Sequence, residues 1–518
     1  MTTLLLTRRY LNDYARNPVN LLLLAIVPTV FVVVVAGSLA DAAKLLDGTG
    51  GSAVETATAG WAAAFLVGIA MYFQTSATRE TDRRLVIAGL PAGRLVASRL
   101  ITGLAIAALV STAAIVALAV RTGIDHPVRV ILGTTMFALI YLAIGALVGA
   151  IARNPVNGTI IVLFVWILDV FLGPAMGSAD RPLTRGLPTH FVTLWMVDLP
   201  SGHGGDPGDL GWALLWTTGA LAGAWLLAAR QIRARRQGTR KGSATTARSQ
   251  TAAALRSTWC DGRRNPALWV LLVVVPLVFI LTAEAVTPND PITIRVDQSG
   301  RQVARTLLMP DLHGATMAPI AIASLAAVMG LFVLLDNTHT DARTATAGLR
   351  WQRLFAARLA VLVAFTVVAL AVSIGTTALI FDATRWPTYI AGNLLIGLTY
   401  ALIGALLAPI VGRVGGVFLT FLLPFLDVGI VQSPMLHPTP TPLSAWLPGY
   451  GGSRLLLDGA LTADFDQGTP LLFGLVWLTC LLAVTAWLYR RSVGGARPHQ
   501  TMHPLSGAGP VTDSTVRR

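Results

Sequence analysis

Charged residues are scarce in this sequence. Asp, Glu, Lys and Arg make up only 12% of the 518 residues, whereas 54% are hydrophobic and the mean hydropathy is +0.66. An ordinary soluble domain carries about a quarter of charged residues, so this deficit excludes a soluble protein. Cysteine is scarce too, with only Cys260 and Cys480, which excludes a disulfide-stapled scaffold.

Lysine is almost absent, and this bears on catalysis. The two lysines are Lys44 and Lys241, and neither follows a glycine and precedes a serine or threonine. A phosphate-binding loop requires that arrangement. The chain also contains no His-Glu-x-x-His sequence and no cysteine pair with zinc-ligand spacing. We therefore predict no catalytic, cofactor-binding or metal-binding residues, and a chain that is not an enzyme by itself.

Long apolar runs are abundant instead. A run of about 18 or more apolar residues predicts a transmembrane helix, and such runs recur along the whole chain. The sequence predicts an all-α polytopic membrane protein with about 12 transmembrane helices, in contact with membrane lipid. The predicted spans 1 to 12 cover residues 19–39, 57–73, 100–120, 130–151, 158–172, 210–229, 267–285, 318–335, 359–381, 389–411, 415–431 and 470–489.

Short sequence landmarks occur twice, in the same order. Pro28 recurs 248 residues later as Pro276, Gly89-Leu90 recurs 259 residues later, and Leu168-Asp169-Val170 recurs 258 residues later. An ordered series of matches indicates an internal repeat, and an even number of spans in each unit makes the two units parallel. We predict two parallel six-helix repeats. The first half covers 1–236 with an N-terminal elbow helix, a cytosolic linker covers 237–254, the second half covers 255–492, and 493–518 form a disordered cytosolic tail.

The basic residues set the predicted orientation. If the N-terminus is cytosolic, 29 of the 39 Lys and Arg lie in cytosolic segments, which agrees with the positive-inside rule. The net charge of +14 therefore lies between spans and does not indicate a nucleic-acid partner. We predict a multi-pass cell-membrane protein with both termini cytoplasmic. We also expect short helices at the outer surface in the long segments 40–56, 173–209 and 432–469.

Two cytosolic segments, 74–99 and 336–358, are long enough for a protruding helix. Both mix charged and apolar residues and share a Gly-Leu pair followed, four residues after the leucine, by Arg-Leu. Such a loop is often only a solvated surface, but its recurrence favours a docking element for a partner. The residues predicted to couple to that partner are Glu80, Asp82, Leu85, Gly89, Leu90, Arg94, Asp341, Gly348, Leu349 and Arg353.

The order of these features resembles the ABC-2 type permeases, the membrane subunits of bacterial ATP-binding cassette exporters. The resemblance is carried by the elbow helix, by Gly89-Leu90-Pro91 and Arg94 before span 3, and by the outer segment before span 6. The fused form resembles actinobacterial permeases for drug and antibiotic efflux. It implies a small hydrophobic substrate and ATP hydrolysis on a separate nucleotide-binding (ATPase) subunit, in two copies. The second half departs from the pattern, because Arg350 replaces the proline.

Asp169 and Asp427 stand at matching repeat positions near the ends of spans 5 and 11. An ionisable residue at membrane depth is costly and suggests a functional role, here in a substrate path or gate. The alternative is that each carboxylate lies at the outer interface and caps the following segment.

Two other classes of function compete with the permease. A drug/proton antiporter could also have 12 spans, but such a carrier would need a cation-binding carboxylate at mid-membrane, and none is predicted. A membrane enzyme acting on a lipid-linked substrate would need paired acid and base groups at one membrane face. Asp169 and Asp427 alone do not supply such a pair.

Overall fold

The structure is a computed structural model of the chain. It describes residues 2–15, 18–46, 48, 50–152, 154–177, 184–233, 265–298, 301–346, 348–437, 439 and 441–494. The predicted linker at 237–254 lies outside the described residues, as do Cys260 and all of the predicted tail except its first two residues.

Ten helices among these residues are long and apolar enough to cross a membrane, which confirms the all-α polytopic fold. The elbow helix is Thr2–Ala15. Span 1 runs through Pro18–Val30, a π-helical turn Phe31–Val35 and Ala36–Leu45. Spans 2, 3, 4 and 6 are Gly51–Ala77, Ala92–Arg121, Pro127–Ile151 and Pro207–Arg233, and span 5 is the shorter Pro155–Phe171. Spans 7, 8, 9 and 12 are Pro266–Val286, Met309–Leu335, Trp351–Thr377 and Gly468–Gly494.

Spans 10 and 11 are two helices joined at a kink, as the sequence predicted. Trp386–Pro424 continues into a π-helical turn at Phe425–Val431. The two helices meet at Gly412, whose φ of +71° and ψ of −164° are non-helical. Glycine adopts positive φ without steric penalty, so one residue suffices to separate the two helices.

A β-hairpin connects spans 7 and 8, where only a loop was predicted. Strand β1 is Pro291–Gln298 and strand β2 is Arg301–Leu308, paired antiparallel with Pro291 opposite Leu308. Ile294 and Val296 are buried against Leu312. The alternation of Ile292, Ile294 and Val296 with polar residues is the period of a half-buried strand, and it was a readable signal.

Short helices occupy two of the three long segments expected to hold them. Cap helix A is His190–Met196 and cap helix B is Tyr450–Leu461. The expectation for 40–56 was wrong, because span 1 continues to Leu45 and span 2 already begins at Gly51. Two further helices follow spans 2 and 8. We call them linking helix A (Arg79–Ile87) and linking helix B (Thr338–Thr346).

Spans 2 and 8 are the most buried helices, and each packs closely on its neighbour. A Cβ on Gly145 of span 4 would lie 2.1 Å from the Gly68 carbonyl oxygen, and a Cβ on Gly404 of span 10 would lie 1.9 Å from that of Ala327. Only glycine permits these approaches, in the manner of small-residue membrane interfaces. Both contacts join residues 77 positions apart, so they set the same register in both halves.

The two halves contact each other reciprocally. Span 5 packs on spans 7 and 8, and the segment that contains spans 10 and 11 packs on spans 1 and 2. At the start of span 5, the Asn157 amide donates to Asn265 Oδ1 at 2.7 Å and accepts from the Asn265 amide at 2.9 Å. Asn265 also caps the N-terminus of span 7 by accepting from Leu268 N. This exchange of hydrogen bonds joins the two halves at one end of the interface.

Candidate functional site

Both linking helices end in the same turn. In helix A, Leu90 N donates to Leu85 O at 3.0 Å and Gly89 N donates to Val86 O at 3.1 Å. Gly89 has a φ of +98°, and Gly348, at the corresponding end of helix B, has a φ of +97°. Paired bonds of this kind around a left-handed glycine form a Schellman motif, which stops a helix sharply. The turn leads directly into span 3 or span 9.

A buried ion pair fastens each linking helix to the span that follows it. Arg99 Nε donates to Asp82 Oδ2 at 2.7 Å, and Arg358 Nη2 donates to Asp341 Oδ1 at 2.7 Å. All four side chains are at most 6% exposed. Burial raises the pKa of Asp82 above its ordinary value, while the hydrogen bonds and charge of Arg99 lower it. We call these pairs strut A (Asp82–Arg99) and strut B (Asp341–Arg358).

Each strut has an additional aromatic partner, which lies outside the linking helix and the span that the strut joins. The Arg99 guanidinium lies 4.6 Å from the ring centre of Tyr10 in the elbow helix, a cation–π contact. The Tyr489 hydroxyl of span 12 donates to Asp341 Oδ2 at 2.8 Å. The struts therefore connect the linking helices with the elbow helix in one half and with the last span in the other.

The struts correct one part of the predicted coupling surface. Asp82 and Asp341 were predicted among the residues that contact a partner. Both side chains are instead buried, and each forms an ion pair with an arginine. Their role is to position the helices. The exposed charges include Glu80, with its side chain 91% exposed, and the residues Arg83, Arg84, Arg94 and Arg353.

The most exposed apolar residue of linking helix A is Ile87, which the sequence reasoning missed. It is 77% exposed, whereas Leu85 and Leu90 are half-buried. Leu349 of the second turn is also half-buried and packs against the core. The sequence did contain a signal for Ile87, because it is an apolar residue directly before the glycine turn on a helix rich in charged residues. Thr346 takes the matching place in helix B.

Asp169 is buried and holds the start of cap helix A. Its carboxylate accepts from the Tyr141 hydroxyl at 3.0 Å, the Thr189 hydroxyl at 2.7 Å and Thr189 N at 3.2 Å. Thr189 is the N-cap residue of the helix. A carboxylate at a helix N-terminus satisfies free N–H groups and interacts favourably with the helix dipole.

Asp427 repeats this arrangement at cap helix B. It accepts from the Tyr400 hydroxyl at 2.6 Å, from Gly449 N at 2.6 Å and from Gln432 Nε2 at 3.2 Å. Gly449 is the N-cap residue of that helix. The geometry is that of the capping alternative. Sequence reasoning missed Tyr141 and Tyr400, although they stand 259 residues apart like the other landmarks.

We expect the combined substitution of Asp169→Asn and Asp427→Asn to destabilise the protein by about 1–2 kcal/mol at each site, because an amide turns a donor toward hydrogen-bond donors. The apparent melting temperature of the purified chain measures this loss of stability. The double variant should still insert into the membrane. Asp198→Asn is the control, since Asp198 is 61% exposed beside Arg129. Unchanged stability combined with lost transport would contradict the capping role. It would favour the alternative that the two aspartates belong to a substrate path or gate.

Two adjoining cavities lie between the halves. The first is lined by apolar side chains and Ser324. The second adds polar groups from Ser38, His313, Thr316 and Ser433. The two cavities share the lining residues Phe171, Phe279, Ile320 and Phe425.

Comparison with known families identifies part of the chain. Residues 49–230 match the model of the ABC-2 family transporter protein. We call this matched segment the ABC-2 domain. The match confirms the resemblance to ABC-2 type permeases, and it supports a multi-pass membrane permease that works with a nucleotide-binding partner. No curated protein matches the chain.

The ABC-2 domain contains linking helix A, strut A, Asp169 and cap helix A. The C-terminal half lies outside the matched residues. It nevertheless repeats the glycine turn, the buried ion pair and the tyrosine–aspartate contact of the ABC-2 domain.

One group within the ABC-2 domain could hold a metal ion. The ligand atoms of His203, Asp206 and Asp209 lie within 4.8 Å of one another. Hydrogen bonds already account for this arrangement, because His203 Nδ1 contacts Asp209 Oδ2 at 2.8 Å and Asp206 Oδ1 accepts from Gly208 N at 2.7 Å. Asp206 thereby caps the start of span 6.

Proposed function

We propose that this chain is the membrane-spanning permease of an ATP-binding cassette exporter, energised by two copies of a separate ATPase subunit. In this proposal the halves at 1–236 and 255–492 act as two permease units joined by the linker at 237–254. One ATPase copy docks on each linking helix.

One observation carries the proposal. The same device occurs twice, namely a short helix stopped by a glycine turn and fastened by a buried ion pair to the next span. A solvated loop has no need of a buried strut, and buried ion pairs are costly unless their geometry is good. A rigid connection is useful where a partner's motion must reach the spans.

The proposed substrate is a small hydrophobic molecule such as a drug or antibiotic. The apolar cavities between the halves support this substrate class. A proton antiporter is less favoured, because Asp169 and Asp427 each already accept three hydrogen bonds and have a structural role. Because these hydrogen bonds already engage both carboxylates, the two aspartates are also poor candidates for the acid–base pair of a membrane enzyme.

The test is isolation of the complex. A tagged chain purified from native membranes should bring down a nucleotide-binding protein in a ratio of two to one, and vesicles containing the complex should move a hydrophobic dye only when ATP is hydrolysed. Dye movement driven by a proton gradient without ATP would favour the antiporter instead.

We further propose that both termini and the linker lie in the cytosol. Cysteines introduced at Ser243 and Gly204, in a chain lacking Cys260 and Cys480, should then react with a membrane-impermeant thiol reagent from opposite sides. Reaction of both from one side would overturn this topology.

A further inference from the structure

The first cavity contains a buried hydroxyl group without a partner. Ser324 of span 8 is 7% exposed, lines the cavity, and its Oγ makes no hydrogen bond to any described residue. An unsatisfied hydroxyl in an apolar setting is costly. A water molecule would fit poorly, since it needs two to four polar partners and the rest of this lining is apolar.

At the repeat positions that correspond to this cavity, the side chains are larger. The glycine contacts of span 4 on span 2 and of span 10 on span 8 align Gly68 with Ala327. In that register Ser324 corresponds to Phe65, and Ile320 corresponds to Trp61. Large aromatic side chains of span 2 thus replace the serine and the isoleucine that line the cavity on span 8.

The corresponding place on the other side of the interface is filled. The ring of Phe65 lies 5.0 Å from Trp166, 5.6 Å from Phe418 and 5.9 Å from Phe421. Phe65, Phe418 and Phe421 are at most 2% exposed.

The partner span differs in the same way. The landmark at Asp169 and Asp427 aligns Phe418 with Ile160 and Phe421 with Leu163, which both line the cavity. Smaller residues on two spans, one from each half, therefore create an empty space on one side only.

We propose that this cavity is a single, asymmetric binding site for an apolar small molecule that carries one hydrogen-bond acceptor for Ser324. The apolar body would contact the phenylalanine and isoleucine side chains, and the acceptor would satisfy the Ser324 hydroxyl. The proposal deepens the proposed function, on which it rests, by giving the substrate one site in each chain instead of two equivalent sites.

Benzophenone is a suitable probe, because it has two apolar rings and one carbonyl acceptor, and on illumination it inserts into nearby C–H bonds. The full chain would be purified in lipid nanodiscs without ATPase or nucleotide, illuminated with increasing benzophenone, and analysed by intact mass and peptide mapping. We expect saturable incorporation of one benzophenone per chain, on peptides of spans 5, 7, 8 and 11, which all line the cavity.

Two filling variants and one mild variant test the site. Ser324→Phe and Ile160→Phe copy the residues of the filled side from two different spans, and each should abolish saturable labelling. Ser324→Ala keeps the space but removes the donor, and should weaken half-saturation by about three- to tenfold. Ser373→Ala is the matched control, a buried serine without an Oγ partner in the described structure that does not line the cavity. It should label like the wild type.

Several results would overturn the site. These are two adducts per chain, labelling of the Phe65 peptide, saturable labelling that survives both filling variants, or full competition by oleic acid, which would identify a lipid chain as the occupant. Because the assay contains no ATPase, a chain that exports but does not label refutes only this site. A chain that labels but never exports refutes the proposed function.

Discussion

Replacing Asp82 with alanine is expected to lower the free energy of unfolding by about 3–5 kcal/mol, the usual cost of leaving one member of a buried ion pair alone. Arg99 is only 4% exposed at its side chain, so its charge would lose the carboxylate without gaining water. Unfolding of the purified chain by increasing dodecyl sulfate in mixed micelles measures the loss. Asp341→Ala should cost at least as much, because Tyr489 also donates to that carboxylate.

Glu80→Ala is the matched control for this loss. Glu80 carries the same charge on the same helix, but its side chain is 91% exposed and lies 3.9 Å from Arg84. Its removal should change stability by less than about 0.5 kcal/mol. The paired change Asp82→Leu with Arg99→Met should recover much of the stability, since no charge remains buried. Equal, small effects of Asp82→Ala and Glu80→Ala would contradict the strut.

Introducing aspartate at Leu90 and Leu349 together is expected to abolish association with the ATPase. Buried apolar anchors carry most of the affinity of an interface, whereas charges at its rim mainly set rate and specificity. A charge at each anchor should weaken binding by more than about tenfold per site. The ratio of ATPase to permease after affinity purification measures the effect. Recovery of a full complement of ATPase would contradict the assignment of Leu90 and Leu349 as anchors for the ATPase.

A separate variant distinguishes lost docking from lost folding, because Leu349 also packs against the core. Ile87 is 77% exposed, so Ile87→Ser removes an apolar contact for a partner without disturbing the interior. Val120, at the far end of span 3, is 84% exposed and serves as control. Ile87→Ser should reduce ATPase recovery while Val120→Ser does not. Equal recovery for both would move the docking surface away from the linking helix.

The positions of the linking helices followed from local signals. Charged residues ending in Gly-Leu predicted a short helix and a turn, and both helices end at that glycine. What could not be read was the direction of each side chain. Glu80 and Asp82 are two residues apart with the same charge, and only the approach of span 3 separates an exposed charge from a buried one.

The aspartates near the ends of spans 5 and 11 show the same limit. The repeat identified them as a pair, but not their partners. Five of their six hydrogen bonds come from residues 20 to 28 positions away, namely Tyr141, Thr189, Tyr400 and Gly449. Such contacts depend on how spans 4 and 10 pack, which no local pattern encodes.

The sequence by itself determined the membrane environment, the approximate positions of the spans and the two-fold internal repeat, because hydrophobic length and ordered landmarks are properties of the chain alone. Only the tertiary structure decided where the repeat ceases to be equivalent. The cavity beside Ser324 exists because four side chains from different spans are smaller than their counterparts at one interface. Empty space is a property of packed surfaces, so it appears only when residues far apart in the chain are brought together.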